Sequence, residues 1–258
     1  MQLTVKAVYD WVDGFAPFQT AEEYDNAGLL TGRPDAPVTR ILTALDCTLD
    51  VVEEARRIGA ELILTHHPLM FHARKNLRED DPEGRILCAL IRSHISLLCA
   101  HTNLDRAPGG INDVLAQIFS LSKVQGEGFL RCGKLPAKMT AGELRDMASR
   151  LLKAPVRLYG SQDRMVDIMA AGSGAYDEGF EEAAAYGAQA YLTGEVRHHN
   201  ALNAVAQGMV LLEGGHFATE APGLTAFGGC LQKGLDRLQY SVAVLDYSGV
   251  SYPGALDR

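Results

Sequence analysis

The sequence contains no Cys-x-x-Cys pair. Its five cysteines, Cys47, Cys88, Cys99, Cys132 and Cys230, are scattered and odd in number. This argues against a disulfide framework and a thiolate zinc site, and it fits a reducing compartment. No apolar run reaches the ~18 residues of a membrane-spanning helix. Lys6 and Asp10 stand where a signal peptide would be apolar. A cytoplasmic protein with no membrane partner is expected. Positive charge is not in excess either: the net charge is −8, which argues against broad nucleic-acid binding. Several catalytic signatures are missing. Ala171, not glycine, stands two residues before Ser173, so there is no Gly-x-Ser-x-Gly elbow. Gly172-Ser173-Gly174 lacks the third glycine of a dinucleotide fingerprint, and no Walker loop, His-Glu-x-x-His or EF-hand loop occurs.

What remains is an ordinary globular composition, 47% hydrophobic and 22% charged over 258 residues, enough for one large or two small domains. Val8, Trp11, Val12 and Phe15 recur at helical spacing, and a polar, turn-rich stretch follows from Glu22 to Gly28. A strand from Ile41 to Leu45, a helix capped by Thr48 or Asp50 and stopped at Gly59, and a strand Leu62 to Thr65 make a βαβ unit, hence a parallel sheet. A helix over 85–92, a strand over 95–100 and a helix over 111–118 follow. Lys123 to Gly128 reads as a linker, then a strand over 129–135. Thr140-Ala141-Gly142-Glu143 is a capping box opening a helix to Leu152, before a strand over 156–159. A last strand over 240–245 has either half to return to.

From Val166 the first half is replayed. Moving 128 residues on carries Glu54-Ala55 to Glu182-Ala183, Gly59-Ala60 to Gly187-Ala188 and Thr65 to Thr193. Moving 115 residues on carries His101 to His216 and Asp105 to Glu220. The expected fold is therefore α/β, with two similar lobes (1–125 and 126–258) related by a pseudo-two-fold and facing each other across a cleft. The helix and strand from about 219 have the option of packing on the first lobe. Ligands in open α/β sheets sit at the carboxyl ends of the strands.

Chemistry gathers at those ends. His101-Thr102-Asn103-Leu104-Asp105 and His216-Phe217-Ala218-Thr219-Glu220 share the pattern His-x-x-x-carboxylate, and Thr65-His66-His67-Pro68 follows another apolar run. An isolated His66-His67 pair is more often one buried and one exposed histidine. With two His-x-x-x-carboxylate elements beside it, metal is the better reading. Two cations ~3.5–4 Å apart need anionic bridges, which Asp105 and Glu220 offer. Glu220 also suits a helix start, with Thr219 as cap and Pro222 early in the helix. The expected ligands are His66, His67, Asp105, His216 and Glu220. His101 is expected to orient Asp105 or a bound phosphate, or to serve as an extra ligand. Glu195, in the place His67 holds in the first half, is a candidate general base. His198 and His199 are candidates for substrate contact, with a plain surface role equally open. Gly109-Gly110 offer a modest anion site at a helix start. Arg74, Lys75, Arg106 and Arg197 are the nearest cations for a phosphate.

Tyr24-Asp25-Asn26-Ala27-Gly28-Leu29, Leu64-Thr65-His66-His67-Pro68, Ala100-His101-Thr102-Asn103-Leu104-Asp105, Leu192-Thr193-Gly194-Glu195 and Gly215-His216-Phe217-Ala218-Thr219-Glu220 occur in this order. Together they resemble the NIF-three-like family, whose members are often labelled GTP cyclohydrolase 1 type 2 homologues. The resemblance covers nearly the whole chain, in the short form without an inserted domain. It implies a dinuclear centre between two α/β lobes on the same five ligands, and a ring-shaped homohexamer. Expected cofactors are two divalent ions per chain (zinc, manganese, iron or cobalt). The expected activity is a metal-dependent hydrolase acting on a nucleotide or phosphorylated small molecule. The alternative is a non-catalytic metal-binding regulatory scaffold.

Overall fold

The computed structural model describes residues 2–247 and 249. They form two compact units, one of residues up to Pro108 joined by those from Leu224 on, the other Gly109–Gly223.

The first unit opens with helix α1 (Val5–Phe15), whose N-terminus is capped by the Thr4 hydroxyl and whose Val5, Val8 and Val12 are buried. Strand β1 (Gly28–Thr31) emerges from the polar stretch and pairs antiparallel with residues 97–99 across an irregular register. The expected βαβ unit follows as β2 (Arg40–Ala44), α2 (Leu49–Ile58) and β3 (Leu62–Thr65). Thr48 caps α2, and Gly59 ends it in the left-handed region at φ 70°. Helix α3 (Pro82–Arg92) is capped by Asp81, strand β4 (Ser96–Cys99) comes next, and the short helix α4 (Thr102–Arg106) closes the run. Strands β2, β3 and β4 are parallel neighbours, and β3 and β4 are buried at every position. That is the signature of a sheet covered on both faces. Helices α2 and α3 cover one face, where Val51, Val52, Ala55 and Leu90 pack on Leu42, Ile63 and Leu97.

The second unit contains α5 (Ile111–Ile118), β5 (Ser122–Gln125), β6 (Arg131–Thr140), α6 (Ala141–Leu152), β7 (Arg157–Tyr159), β8 (Met165–Ala171), α7 (Gly179–Ala185), β9 (Ala190–Thr193), α8 (His198–Ala206) and β10 (Val210–Glu213). Its six strands run β5-β6-β8-β9-β10-β7. The expected linker over 123–128 is in part strand, because β5 finds a partner in β6. The capping box at Thr140 forms as expected, both halves present.

Helix α9 (His216–Arg237) starts in the second unit and ends in the first, and β11 (Ala243–Asp246) pairs parallel with β2 to complete the order β1-β4-β3-β2-β11. Phe227 on α9 packs on Trp11 and Phe15 of α1. One expectation fails here. The helix begins at His216, so Thr219 is not its cap and Pro222 lies inside it. The Thr219 hydroxyl instead donates to the Gly215 and His216 carbonyls.

The internal repeat extends to strand register. Ile41↔Leu62 and Leu42↔Ile63 in the first sheet become Met169↔Ala190 and Ala170↔Tyr191 in the second, 128 residues on in both partners. Each parallel trio also carries an antiparallel neighbour, β1 on β4 and β7 on β10. The Ala100 N–H donates to Thr65 O, and Gly214 N–H to Thr193 O. These strand ends therefore match at a shift of 114 (Ala100 to Gly214), and the 115 between His101 and His216 reflects one extra residue, Gly215, before the second histidine.

A candidate metal centre

In the first unit the carboxyl ends of three adjacent parallel strands supply the side chains. Asp46 follows β2, His66 and His67 follow β3, and His101 follows β4. Strand pairing persists past β3, since His66 N–H donates to Ala44 O and His67 N–H to Leu45 O. Pro68, lacking an N–H, then stops the ladder. The two histidines tilt apart, with ring centroids 5.1 Å from each other at 46°. His66 is fully buried. Its Nδ1 donates to the Ala100 carbonyl at 2.9 Å. His67 Nδ1 donates to Asp46 Oδ1 at 2.8 Å, and His101 Nδ1 to Asp25 Oδ1 at 2.8 Å. A carbonyl or ionised carboxylate only accepts, so each Nδ1 carries a proton, and in the neutral ring Nε2 is left as the acceptor nitrogen. That is the tautomer a metal-binding imidazole needs.

Asp105 sits on α4, one turn beyond His101, so the four-residue spacing of the motif is one helical turn. Its Oδ1 lies 3.5 Å from His66 Nε2. One nitrogen from each of His66, His67 and His101 falls within 4.8 Å of the others. Asp25 holds the loop before β1 against α4, accepting from the Thr102 N–H and hydroxyl as well as from His101. Burial alone would raise its carboxyl; the hydrogen bonds from His101 and Thr102 outweigh it and bring it down to about 2.

The second unit repeats the device with different residues. His216 Nδ1 donates to Glu195 Oε1 at 2.8 Å, and His216 Nε2 lies 3.2 Å from Glu220 Oε1, one turn along α9. Glu220 is buried, whereas the Glu195 side chain is 60% exposed. Gly174 follows β8 at φ +62°, and a Cβ there would stand 2.4 Å from Glu220 Oε1 and 3.3 Å from His216 Nε2. Its carbonyl accepts from the Gly194 and Glu195 N–H groups, and its N–H donates to Thr219 Oγ1. Gly172-Ser173-Gly174, set aside above as weak evidence for a dinucleotide, thus positions His216 and Glu220.

Other candidates are committed elsewhere. Arg74 pairs with Asp81 and Glu83, Arg106 with Glu22, and Arg197 with Asp177 and Glu178. The Gly109 N–H donates to Asp113 Oδ2 at 2.7 Å, so this unit's own carboxylate takes the anion position at α5. His198 and His199 are exposed at the start of α8. Sequence reasoning missed three supports: Asp46, Asp25 and Gly174. Asp46 lies just past a strand end, and its bond to His67 depends on neighbouring strands in the sheet.

A profile of the Duf34/NIF3 (NGG1p interacting factor 3) family matches residues 3–249. The chain belongs to this family. A Clostridium acetobutylicum protein named GTP cyclohydrolase 1 type 2 homolog is 31% identical over 95% of this chain and 96% of its own length. The crystal structure of a Staphylococcus aureus hypothetical protein superposes with a TM-score of 0.94 at 26% identity, covering 98% of this chain and 99% of that one. A Bacillus cereus protein related to NIF3 shares the fold, with a TM-score of 0.94 at 21% identity over 98% of this chain and 99% of its own. The chain thus has the α/β fold of NIF3 family members, with His and Glu groups able to hold a metal ion. No helix among the described residues is long and apolar enough to cross a membrane.

Proposed function

We propose that the protein is a metal-dependent hydrolase in which His66, His67, Asp105, His216 and Glu220 hold two divalent ions per chain. One observation carries the reading. All three imidazoles commit Nδ1 to an oxygen acceptor, and two of them set Nε2 within 3.2–3.5 Å of a carboxylate oxygen. Two acceptor atoms at that distance repel unless a cation or proton lies between them. Three imidazoles and two carboxylates suit zinc, manganese, iron or cobalt. When bound, such ions supply Lewis acidity and lower the pKa of water from ~16 toward ~7.

The chain's own groups do the rest. Asp46, Glu195 and the Ala100 carbonyl fix the imidazole orientations. Glu195, holding His216 with one oxygen and open to solvent, is the carboxylate placed to accept a proton from water. His101, anchored by Asp25, borders His66 and His67 and orients what binds there. The names of the relatives point to a nucleotide or other phosphorylated small molecule as substrate. The expected assembly is a ring-shaped homohexamer and the expected compartment the cytoplasm. One observation favours a non-catalytic, metal-binding regulatory scaffold instead: three of the four candidate cations for a phosphate, Arg74, Arg106 and Arg197, are ion-paired, which leaves the exposed Lys75.

Elemental analysis of the purified protein, paired with a metabolite screen of wild type against His67→Ala, tests the proposal. Near two metals per chain are expected, falling in the variant, with formate release marking ring opening of GTP and phosphate release marking ester cleavage. Metal at full occupancy with no metabolite turned over in any metal state would leave the scaffold reading.

A further inference from the structure

Two large aromatic side chains stand in water beside the histidines of the first unit. Tyr24 is 63% exposed and Phe71 41%. Their ring centroids are 6.2 Å apart at 46°. Phe71 meets His101 edge-on, 6.4 Å away at 80°, and His101 is 5.2 and 5.7 Å from the rings of His66 and His67. The rings are held in place. Asn26 Nδ2 donates to the Met70 carbonyl at 2.6 Å, tying the two loops together, and Asp25 beside Tyr24 is anchored on His101 and Thr102.

Leaving two rings exposed forgoes the burial energy that puts most aromatics in a core. Their 46° tilt is neither parallel stacking nor edge-to-face, so the pair does not use up its ring faces on itself and a planar ligand can stack on one of them. The charge around them is acidic. Burial, followed by Glu22, Asp25 and Asp105, raises the pKa of the Tyr24 hydroxyl, and Arg106, the nearby cation, is paired with Glu22. Ions bound at Asp105 would offset part of that charge, whereas a neutral planar ring carries no charge penalty in either state.

We propose that Tyr24 and Phe71 form a stacking platform for a planar heteroaromatic ring of nucleobase size. The inference deepens the hydrolase reading by naming the ring as the end of the substrate nearest His101. Binding itself does not require turnover.

Calorimetric titration of the full chain tests it, as purified and after chelation, with GTP, ATP and inorganic tripolyphosphate as probes. Tyr24→Ala and Phe71→Ala are expected to weaken both nucleotides about ten- to hundred-fold, the range for loss of one base–aromatic stack. Tyr24→Phe and Phe71→Tyr should bind nearly as wild type. Tripolyphosphate binding and metal content should be the same in all variants. The platform is overturned if the alanine variants bind nucleotide as wild type does, or if wild type binds neither nucleotide at millimolar concentration. It is equally overturned if the alanine variants lose metal, or change oligomeric mass by light scattering, which would make the rings a contact between copies. Nucleotide bound through these rings without any turnover sinks the hydrolase reading alone.

Discussion

At Gly174 the lack of a side chain is a steric requirement. A Cβ there would approach Glu220 Oε1 to 2.4 Å, far inside contact distance, and the backbone is left-handed at φ +62°. Gly187 is also left-handed, at φ +79°, but a Cβ there would meet nothing within 4 Å. The pair separates backbone strain from obstruction. Either substitution to alanine should cost about 1 kcal/mol of stability from conformation. Only Gly174→Ala should also displace Glu220, and elemental analysis should find its metal content at least halved while Gly187→Ala matches wild type. Equal metal in both would remove Glu220 from the ligand set. The histidines and carboxylates of the candidate site were legible because they end apolar runs, and His101 with Asp105 and His216 with Glu220 are each spaced one helical turn apart. The need for Gly174 was not, since what a glycine accommodates is decided by atoms that approach from elsewhere in the chain.

At the scale of elements, sequence signals sufficed wherever a segment carries its own start and stop. Thr48 and Gly59 bound α2, and Thr140 with Glu143 opens α6. Thr140→Ala should cost about 1 kcal/mol, read as a lowered urea midpoint for the second unit, and Thr140→Ser should restore it. An unchanged midpoint would mean that packing of Leu144 and Ala148 holds the helix end without the cap. Segments that depend on a partner were missed. Strand β1 has four residues and an irregular register, and it is a strand only because β4 offers an edge. Strand β5 is exposed throughout, so no hydrophobic alternation betrays it. Helix α4 has five residues and no side-chain cap, too short for periodicity to register. At α9, Thr219 and Pro222 look like an N-terminus in sequence; the helix reaches back to His216 because the Thr219 hydroxyl bonds within the helix and to the Gly174 loop.

Over the whole molecule, the two units keep strand register and the His-x-x-x-carboxylate element, His101 with Asp105 and His216 with Glu220, while exchanging chemistry at two other matched positions, Asp46 for Gly174 and His67 for Glu195. Each unit also buries a carboxylate held ionised by hydrogen bonds. In the first it is Asp25, its side chain fully buried. In the second it is Asp177, lowered because bonds from Arg197 and Asn200 outweigh its burial. A folded pKa below the unfolded one means that the native state releases the proton more readily, so this stabilisation is complete above the unfolded value and fades as the pH falls through the folded one. For Asp25 the window runs from 3.8 down to about 2, worth about 2 kcal/mol. Urea unfolding of chelator-treated protein, which removes metal loss as a confounding cause, should show stability falling across this window. Asp25→Asn should be less stable than wild type above pH 4 and should lose less on acidification, so that the two curves converge. Parallel curves would show that Asp25 is not held ionised in the fold, and that His101 takes its orientation from something other than a carboxylate.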